Sequence, residues 1–353
     1  MEKPRKSVRR KGRGVTIDEV AALAGVSPMT VSRVMNNQGK VRDTTRERVM
    51  RAVRELDYTP NLAASSLAAA QHTRVALVYN NPSDAYLREI LVGLLRVAAR
   101  TSIQLVIDYW DSADTDTERK AARTMAGRVD GVILLPPVCE SPAVVGEFVR
   151  AGIPVVAIAA GQGSLGISCV RIDDLRAGRE LADYLVAQGH TRIGFIKGRA
   201  DMRASALRYE GFQAALSAAG LALDTALVQQ GDYTYRSGLK AGGRILAHKR
   251  PPTAIIASND DMAAAVVSVA HRRGLDVPRD LAVVGFDDSS SAITVWPELT
   301  TIHQPIAAMA NAAIDILLRT IRDKDGGTRA LVDQVMPHRL VVRDSAAAPA
   351  RRG

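Results

Sequence analysis

Residues 15–36 read VTIDEVAALAGVSPMTVSRVMN. Val20, Ala21, Leu23 and Ala24 recur at helical spacing and give a short first helix an apolar face. Thr16 stands at its N-cap, and Glu19 three residues on completes a capping box. Gly25 ends it, because a left-handed turn residue costs glycine least. Ser27 caps a second helix, with Pro28 at the first helical position, where a missing N–H loses nothing. Val31 and Val34 turn toward the first helix. Pro28, Met29, Thr30, Ser32, Arg33 and Asn36 stay available to a partner. Two helices at this spacing, the second with a polar and basic outer face, predict a helix-turn-helix.

The flanking charge supports that reading. Residues 1–60 hold 14 Lys+Arg and 7 Asp+Glu, so +7 of the chain's net +10 falls on about one sixth of its length. A charge excess so placed is the footprint of a nucleic-acid partner. Residues 1–14, MEKPRKSVRRKGRG, lack apolar periodicity and read as a disordered basic tail that adds phosphate contacts or aids solubility. A third helix over Asp43–Asp57, with Val49, Val53 and Leu56 at helical spacing, closes a small core, and Tyr58 packs at its end. The head therefore spans 15–59. Residues 60–72 follow, and within them NLAASSLAAA (61–70) is alanine-rich and too short to hold a helix alone in water. That suits a linker with helical leaning, or a hinge that folds when docked.

From Arg74 the pattern changes to alternating strands and helices. RVALVYN, SIQLVIDYW, VDGVILLPP and IPVVAIAA are apolar strands separated by helical stretches. The rhythm restarts after VRIDD with TRIGFIKG, LVQQGD, TAIIASND and LAVVGFDD, and a long helix covers 305–322. Such alternation predicts two α/β halves with parallel sheets covered on both faces, over residues 73–343. Ligands bind outside the carboxyl ends of such strands. Asn80-Asn81, Asn259-Asp260 and Asp287-Asp288 are polar at those ends, which predicts a cleft between two lobes that closes on a small polar molecule. Residues 344–353 read as a disordered tail.

Composition narrows the class. The 353 residues are 47% hydrophobic, enough for a sizeable core, and only 4% aromatic. Cys139 and Cys169 lack metal-ligand spacing and read as buried free thiols in a reducing cytoplasm. No apolar signal core follows the basic N-terminus, and no run of about 18 apolar residues occurs, so secretion and membrane insertion are disfavoured. There is no G-x-S-x-G elbow, no Walker-type phosphate loop and no histidine cluster with metal spacing. No catalytic residue, cofactor or metal is expected.

The stretch TIDEVAALAGVSPMTVSRVMNN, then TRERV and ELDYTPNLAASSL, resembles the DNA-binding head of the lactose-repressor (LacI/GalR) family of bacterial transcription regulators. The remainder is similar as well, at VDGVILLPP, IPVVAI, VRIDD, GHTRIGFIKG, RYEGF, PPTAIIASNDDMA, VPRDLAVVGFDD and PELTTIHQP. The resemblance covers about residues 14–342. It implies a cytoplasmic homodimer whose heads read a pseudo-palindromic operator in double-stranded DNA, most simply as a repressor of carbohydrate uptake or catabolism genes. By position, Pro28, Met29 and Arg33 face the bases, with Arg33 placed to pair bidentately with guanine. Thr16, Thr30, Ser32 and Asn36 match phosphate binders. Asn61, Ala64 and Leu67 match the hinge's DNA contacts, Leu67 being the apolar wedge that kinks the duplex.

The resemblance extends to periplasmic sugar-binding proteins in the two α/β lobes. Arg208, Tyr233, Asn259 and Asp287, with Asn80, Tyr86 and Gln304, match the family's effector contacts, and their chemistry suits a polyhydroxylated ligand such as a sugar. The sequence also departs from the family. Where Asp-Arg often follows the fourth strand, Ala159-Ala160 stands here, and the usual serine cap of helix three is Arg42, with Asp43 as a substitute. No leucine heptad follows the last strand, so no C-terminal bundle is expected. The competing reading is a solute-binding protein of a transport system, which the basic head opposes.

Overall fold

The computed structural model describes residues 15–35, 41–56, 58, 73–111, 114–159, 166–323 and 330–348. The expected basic tail 1–14, Asn36, and the hinge with Asn61, Ala64 and Leu67 lie outside the described residues. The chain divides into two compact units, Met1–His72 and Thr73–Gly353.

In the first unit, α1 (Ile17–Ala24), α2 (Pro28–Met35) and α3 (Asp43–Glu55) enclose a small core. Val20, Val31 and Val49, one from each helix, are fully buried at its centre. The capping box closes α1: the Glu19 amide donates to Thr16 Oγ1, and the Thr16 amide donates to Glu19 Oε2 at 2.8 Å. Gly25 takes φ +62° at its C-cap. Arg48 of α3 donates to the Ala24 carbonyl at 2.5 Å, satisfying an acceptor left over at the end of α1. At α3 the N-cap position is Arg42, which makes no side-chain cap. Asp43 does not substitute as the cap; it stands inside the first turn, where its charge suits the helix dipole.

The second unit runs β1 (Thr73–Tyr79), α4 (Asp84–Ala98), β2 (Ile103–Tyr109), α5 (Thr115–Ala126), β3 (Gly131–Leu134), α6 (Pro142–Arg150), β4 (Val155–Ile158) and β5 (Ser168–Arg171). Then come α7 (Asp174–Ala187), β6 (Ile193–Lys197), α8 (Arg203–Ala218), β7 (Val228–Gln230), α9 (Tyr235–Leu246), β8 (Ala254–Ala257), α10 (Asp260–Arg272) and β9 (Ala282–Val284). The chain closes with α11 (Ser290–Thr294), β10 (Thr301–His303), α12 (Ile306–Arg322), β11 (Asp333–Val335) and β12 (Arg339–Val341).

Two parallel sheets result, in the orders β11-β5-β4-β3-β1-β2 and β7-β6-β8-β9. In the first, Leu77 lies opposite Ile133 and Val75 opposite Leu105. Strands β3, β4 and β8 are buried along their whole length, as expected when helices cover both faces.

The lobes are not two successive halves of the chain. Helix α12 returns to pack on α4 and on β3, β4 and β5, and β11 completes the edge of the first sheet beside β5. Strands β10 and β12 form a separate antiparallel pair. Nor do residues 344–348 form part of a trailing tail. Ser345 is fully buried, its Oγ donating to the Val283 carbonyl and accepting from the Thr300 amide, while the Ala347 carbonyl meets His190 Nε2 at 2.9 Å. Burial of those polar bonds holds the segment against the second lobe.

Helices α7 and α8 cross with almost no gap. A Cβ on Gly178 would collide with the Arg208 carbonyl, and one on Gly211 with the Leu175 carbonyl. Backbone cannot swing aside as a side chain can. Gly178→Ala is therefore expected to destabilise the second unit by at least about 1–3 kcal/mol. Both tryptophans, Trp110 and Trp296, lie in that unit, so fluorescence-monitored urea unfolding reads it alone. An unchanged midpoint would show that the helices can part freely.

Candidate DNA-reading face and effector cleft

On the first unit, the residues expected to face a partner differ in exposure. Pro28, Met29 and Arg33 are exposed along α2, and Thr30, Ser32 and Thr16 are half-buried. Met29 is 65% exposed on that face. Thr30 also serves the helix: its amide donates to Ser27 Oγ, and the two hydroxyls lie 3.0 Å apart.

On the second unit, a narrow cleft with a cavity volume of about 30 Å³ lies beyond the carboxyl ends of both sheets. Asn81, Ser83, Tyr86, Pro136 and Ala159 line it from the first lobe, following β1, β3 and β4. Met202, Ala204, Arg208, Tyr233 and Asp287 line it from the second, following β6, β7 and β9. One side is largely apolar and the other carries charge, as small-ligand sites usually do.

Arg208 organises the charged side. Its Nε donates to Asp174 Oδ1 at 2.8 Å and its Nη1 to the Ser258 carbonyl at 2.6 Å. Asp287 Oδ1 stands 3.8 Å from Nη1, and the guanidinium lies 3.6 Å over the Phe286 ring. Burial works against the charge on Arg208, but Asp174, Tyr233 and Asp287 outweigh it and hold the group protonated. Asp287 is pushed up to about 7, chiefly by burial, with Arg208 and the Gln304 hydrogen bond opposing.

Its raised value fixes the sign of a pH effect. The fold favours the neutral carboxyl, so the stability this group contributes is complete below its ordinary value near 3.8 and is lost as pH rises through about 7. The urea midpoint is expected to fall between pH 5 and pH 8 in the wild type and to fall less in Asp287→Asn. Equal slopes in both proteins would rule this group out as the source.

Backbone strain marks the same place. Among the described non-glycine residues, positive φ occurs at Ala159 (60°), Tyr233 (72°), Asp287 (106°) and Asp288 (58°). The first three line the cleft and the fourth adjoins it. Such conformations persist only where surrounding structure enforces them, and they cluster at ligand sites. The hydroxyl of Tyr86 is buried at the cleft without a hydrogen-bond partner, which leaves it in need of one.

Of the seven residues expected to contact an effector, Tyr86, Arg208, Tyr233 and Asp287 meet in this lining. Gln304 sits behind Asp287 and donates to its Oδ1 at 2.6 Å, a supporting position. Asn259 is placed behind the wall instead: its Oδ1 caps α10 by accepting from the Met262 amide, and its Nδ2 holds the Tyr233 carbonyl at 2.9 Å. Asn80 points elsewhere, with its carbonyl and Oδ1 both accepting from Arg199 Nη1, while Asn81 takes the cleft position. Asp174 was not anticipated. The pair Asp173-Asp174 reads as a helix start, and only the fold shows that Asp173 caps α7 while Asp174 turns inward to Arg208.

Among the described residues no group of His, Cys, Asp or Glu could hold a metal ion, and no helix is long and apolar enough to cross a membrane.

A small helical unit with an exposed reading helix, and a two-lobed unit with an enclosed cleft, together define a ligand-responsive DNA-binding regulator. The chain belongs to the lacI family of bacterial regulatory proteins, whose model matches residues 16–61, while a periplasmic binding protein-like domain matches 182–346. It is 34% identical over 332 residues to the HTH-type transcriptional regulator DegA of Bacillus subtilis (strain 168), covering 94% of this chain and 97% of that protein. It is 36% identical over 340 residues to the HTH-type transcriptional regulator CelR of Thermobifida fusca, covering 94% and 98%. Among solved structures, a lac repressor dimer bound to operator and the anti-inducer ONPF aligns with a TM-score of 0.79 at 26% identity, covering 95% of this chain and all of that one. A CelR–cellobiose complex aligns with a TM-score of 0.71 at 34% identity, covering 94% and 99%.

Proposed function

We propose that this protein is a cytoplasmic, homodimeric repressor of genes for carbohydrate uptake or breakdown, and that a sugar bound in the cleft sets its affinity for operator DNA. The observation that carries the ligand reading is the convergence of Arg208, Asp287, Tyr233 and the unpartnered Tyr86 hydroxyl on one enclosed space. A sugar offers hydroxyls that both donate and accept, matched to a guanidinium, a carboxylate and a phenol. Relatives known as the CelR–cellobiose complex and as a ribose operon repressor support the same class.

On the DNA side, Arg33 reads guanine, Pro28 and Met29 touch base edges or a thymine methyl, and Thr16, Thr30, Ser32 and Asn36 set the register on phosphate. Residues 60–72 act as the hinge, with Asn61, Ala64 and Leu67 at the duplex and Leu67 as the wedge. The cleft binds its ligand without turning it over. Only a ligand with unequal affinity for two lobe arrangements can transmit a signal to the heads.

Thermal shift against mono- and disaccharides, sugar phosphates and nucleobases tests this. A ligand at 100 times its dissociation constant adds about 2.7 kcal/mol of stability. The hit is then added to a gel-shift titration on upstream intergenic DNA. A sugar that stabilises the protein and shifts the DNA titration supports the reading. Response to nucleobases alone would refute the sugar class, and absence of salt-sensitive binding to any such DNA would refute the regulator.

A further inference from the structure

Resting on the reading of the cleft as an effector site, we infer that Asp174 is a specificity-determining residue: by neutralising Arg208 from within the protein it makes the cleft accept an uncharged polyol and reject phosphorylated or otherwise anionic ligands.

Arg208 is the one cation among the described residues lining the cleft. Residues 160–165, AGQGSL, include no lysine or arginine. A free guanidinium at the base of an enclosed site would be a ready anion receptor. Here two of its five donors are already engaged and its charge is met from within the protein. Asp174, itself 5% exposed, holds Nε at 2.8 Å, and the Ser258 carbonyl holds Nη1. Asp287 lies 3.8 Å away on the cleft side. Asp261 stands in the second layer, accepting from Ser83 Oγ at 3.4 Å and from Ser291 Oγ at 2.5 Å.

An entering sulfate, which only accepts hydrogen bonds, or a hydrogenphosphate, which keeps one donor but carries two negative charges, would have to displace a buried carboxylate or share one guanidinium with two of them. Either way like charges meet in a poorly solvated space. A neutral hydroxyl meets no such barrier. It accepts from Arg208 and donates to Asp287 in the same pose. The charged side of the cleft therefore supplies geometry for vicinal hydroxyls without supplying net positive charge.

The test uses the full chain at pH 8 and inorganic phosphate and sulfate alone as probes, read by thermal shift and titration calorimetry. The wild type is expected to show no saturable response. Asp174→Asn, which keeps the shape and removes the charge, is expected to bind phosphate at least about tenfold more tightly than wild type. Asp287→Asn serves as the second variant should the first fail to fold, with tryptophan fluorescence as the check on folding. Saturable phosphate binding by the wild type would overturn the inference. So would the failure of a folded variant to gain any, because charge compensation would then not be what excludes anions. Neither result touches the sugar panel, so failure here is distinct from failure of the effector reading.

Discussion

Arg208→Ala is expected to destabilise the second unit by about 3–5 kcal/mol and to abolish effector binding. The loss is large because of what stays behind. Asp174 would be buried without its cation, the Ser258 carbonyl would lose its donor, and Asp287 would lose the charge that opposes its protonation. A buried ion pair need not add net stability over an apolar pair of the same shape, yet removing one partner leaves an uncompensated charge. The same logic separates this account from a simple cavity effect. Arg208→Ala combined with Asp174→Ala removes both charges and is expected to be less destabilised than Arg208→Ala alone, although its cavity is larger. Urea unfolding read by tryptophan fluorescence measures both. A double variant as unstable as the sum of the single ones would show that packing against Phe286, not charge, dominates at this site.

Much of the architecture is written locally. The capping box of Thr16 and Glu19, Gly25 at the left-handed turn, and the apolar runs that became β1, β3, β4 and β8 are decided within a few residues of themselves. The polar residues past β1 and β9 do meet at the cleft, as Asn81 and Asp287, while those past β8 do not line it. Other features depend on partners distant in sequence. Strand β11 is three residues long and gains meaning only beside β5, more than 160 residues earlier, so no periodicity announces it. Ser345 is placed by bonds to Val283 and Thr300, which is why the segment near the C-terminus looked like a tail.

The site divides in the same way. Arg208, Tyr233 and Asp287 were reached through residue chemistry and resemblance together. Asn259 has equally suitable chemistry, but its side chain is consumed by a helix cap and by the Tyr233 carbonyl. Asn80 and Asn81 are indistinguishable by composition, and the turn after β1 alone decides which one enters the cleft. The left-handed backbone at Tyr233 has no signal in the sequence, since tyrosine is not a residue type that a turn there would select, whereas aspartate, as at Asp287, is enriched at positive φ.

Arg33→Ala is expected to weaken binding to a specific operator by about 1–3 kcal/mol, roughly 5- to 150-fold, while leaving binding to random duplex nearly unchanged. The side chain is exposed in the last turn of α2, outside the Val20–Val31–Val49 core, so alanine leaves the fold of the head intact. A guanidinium that forks onto guanine O6 and N7 loses two bonds that only the right base pair offers. One that meets phosphate loses a contact that every sequence offers. The two cases differ in a second observable. Loss of a phosphate contact lowers the steepness of log K against log salt by about 1, whereas loss of a base contact shifts the line without tilting it. An operator selected from a random duplex library, titrated at several salt concentrations beside an unselected duplex, reads both quantities. Parallel losses on the two duplexes with a shallower salt slope would assign Arg33 to the backbone and pass the reading of sequence to Pro28, Met29 and the hinge.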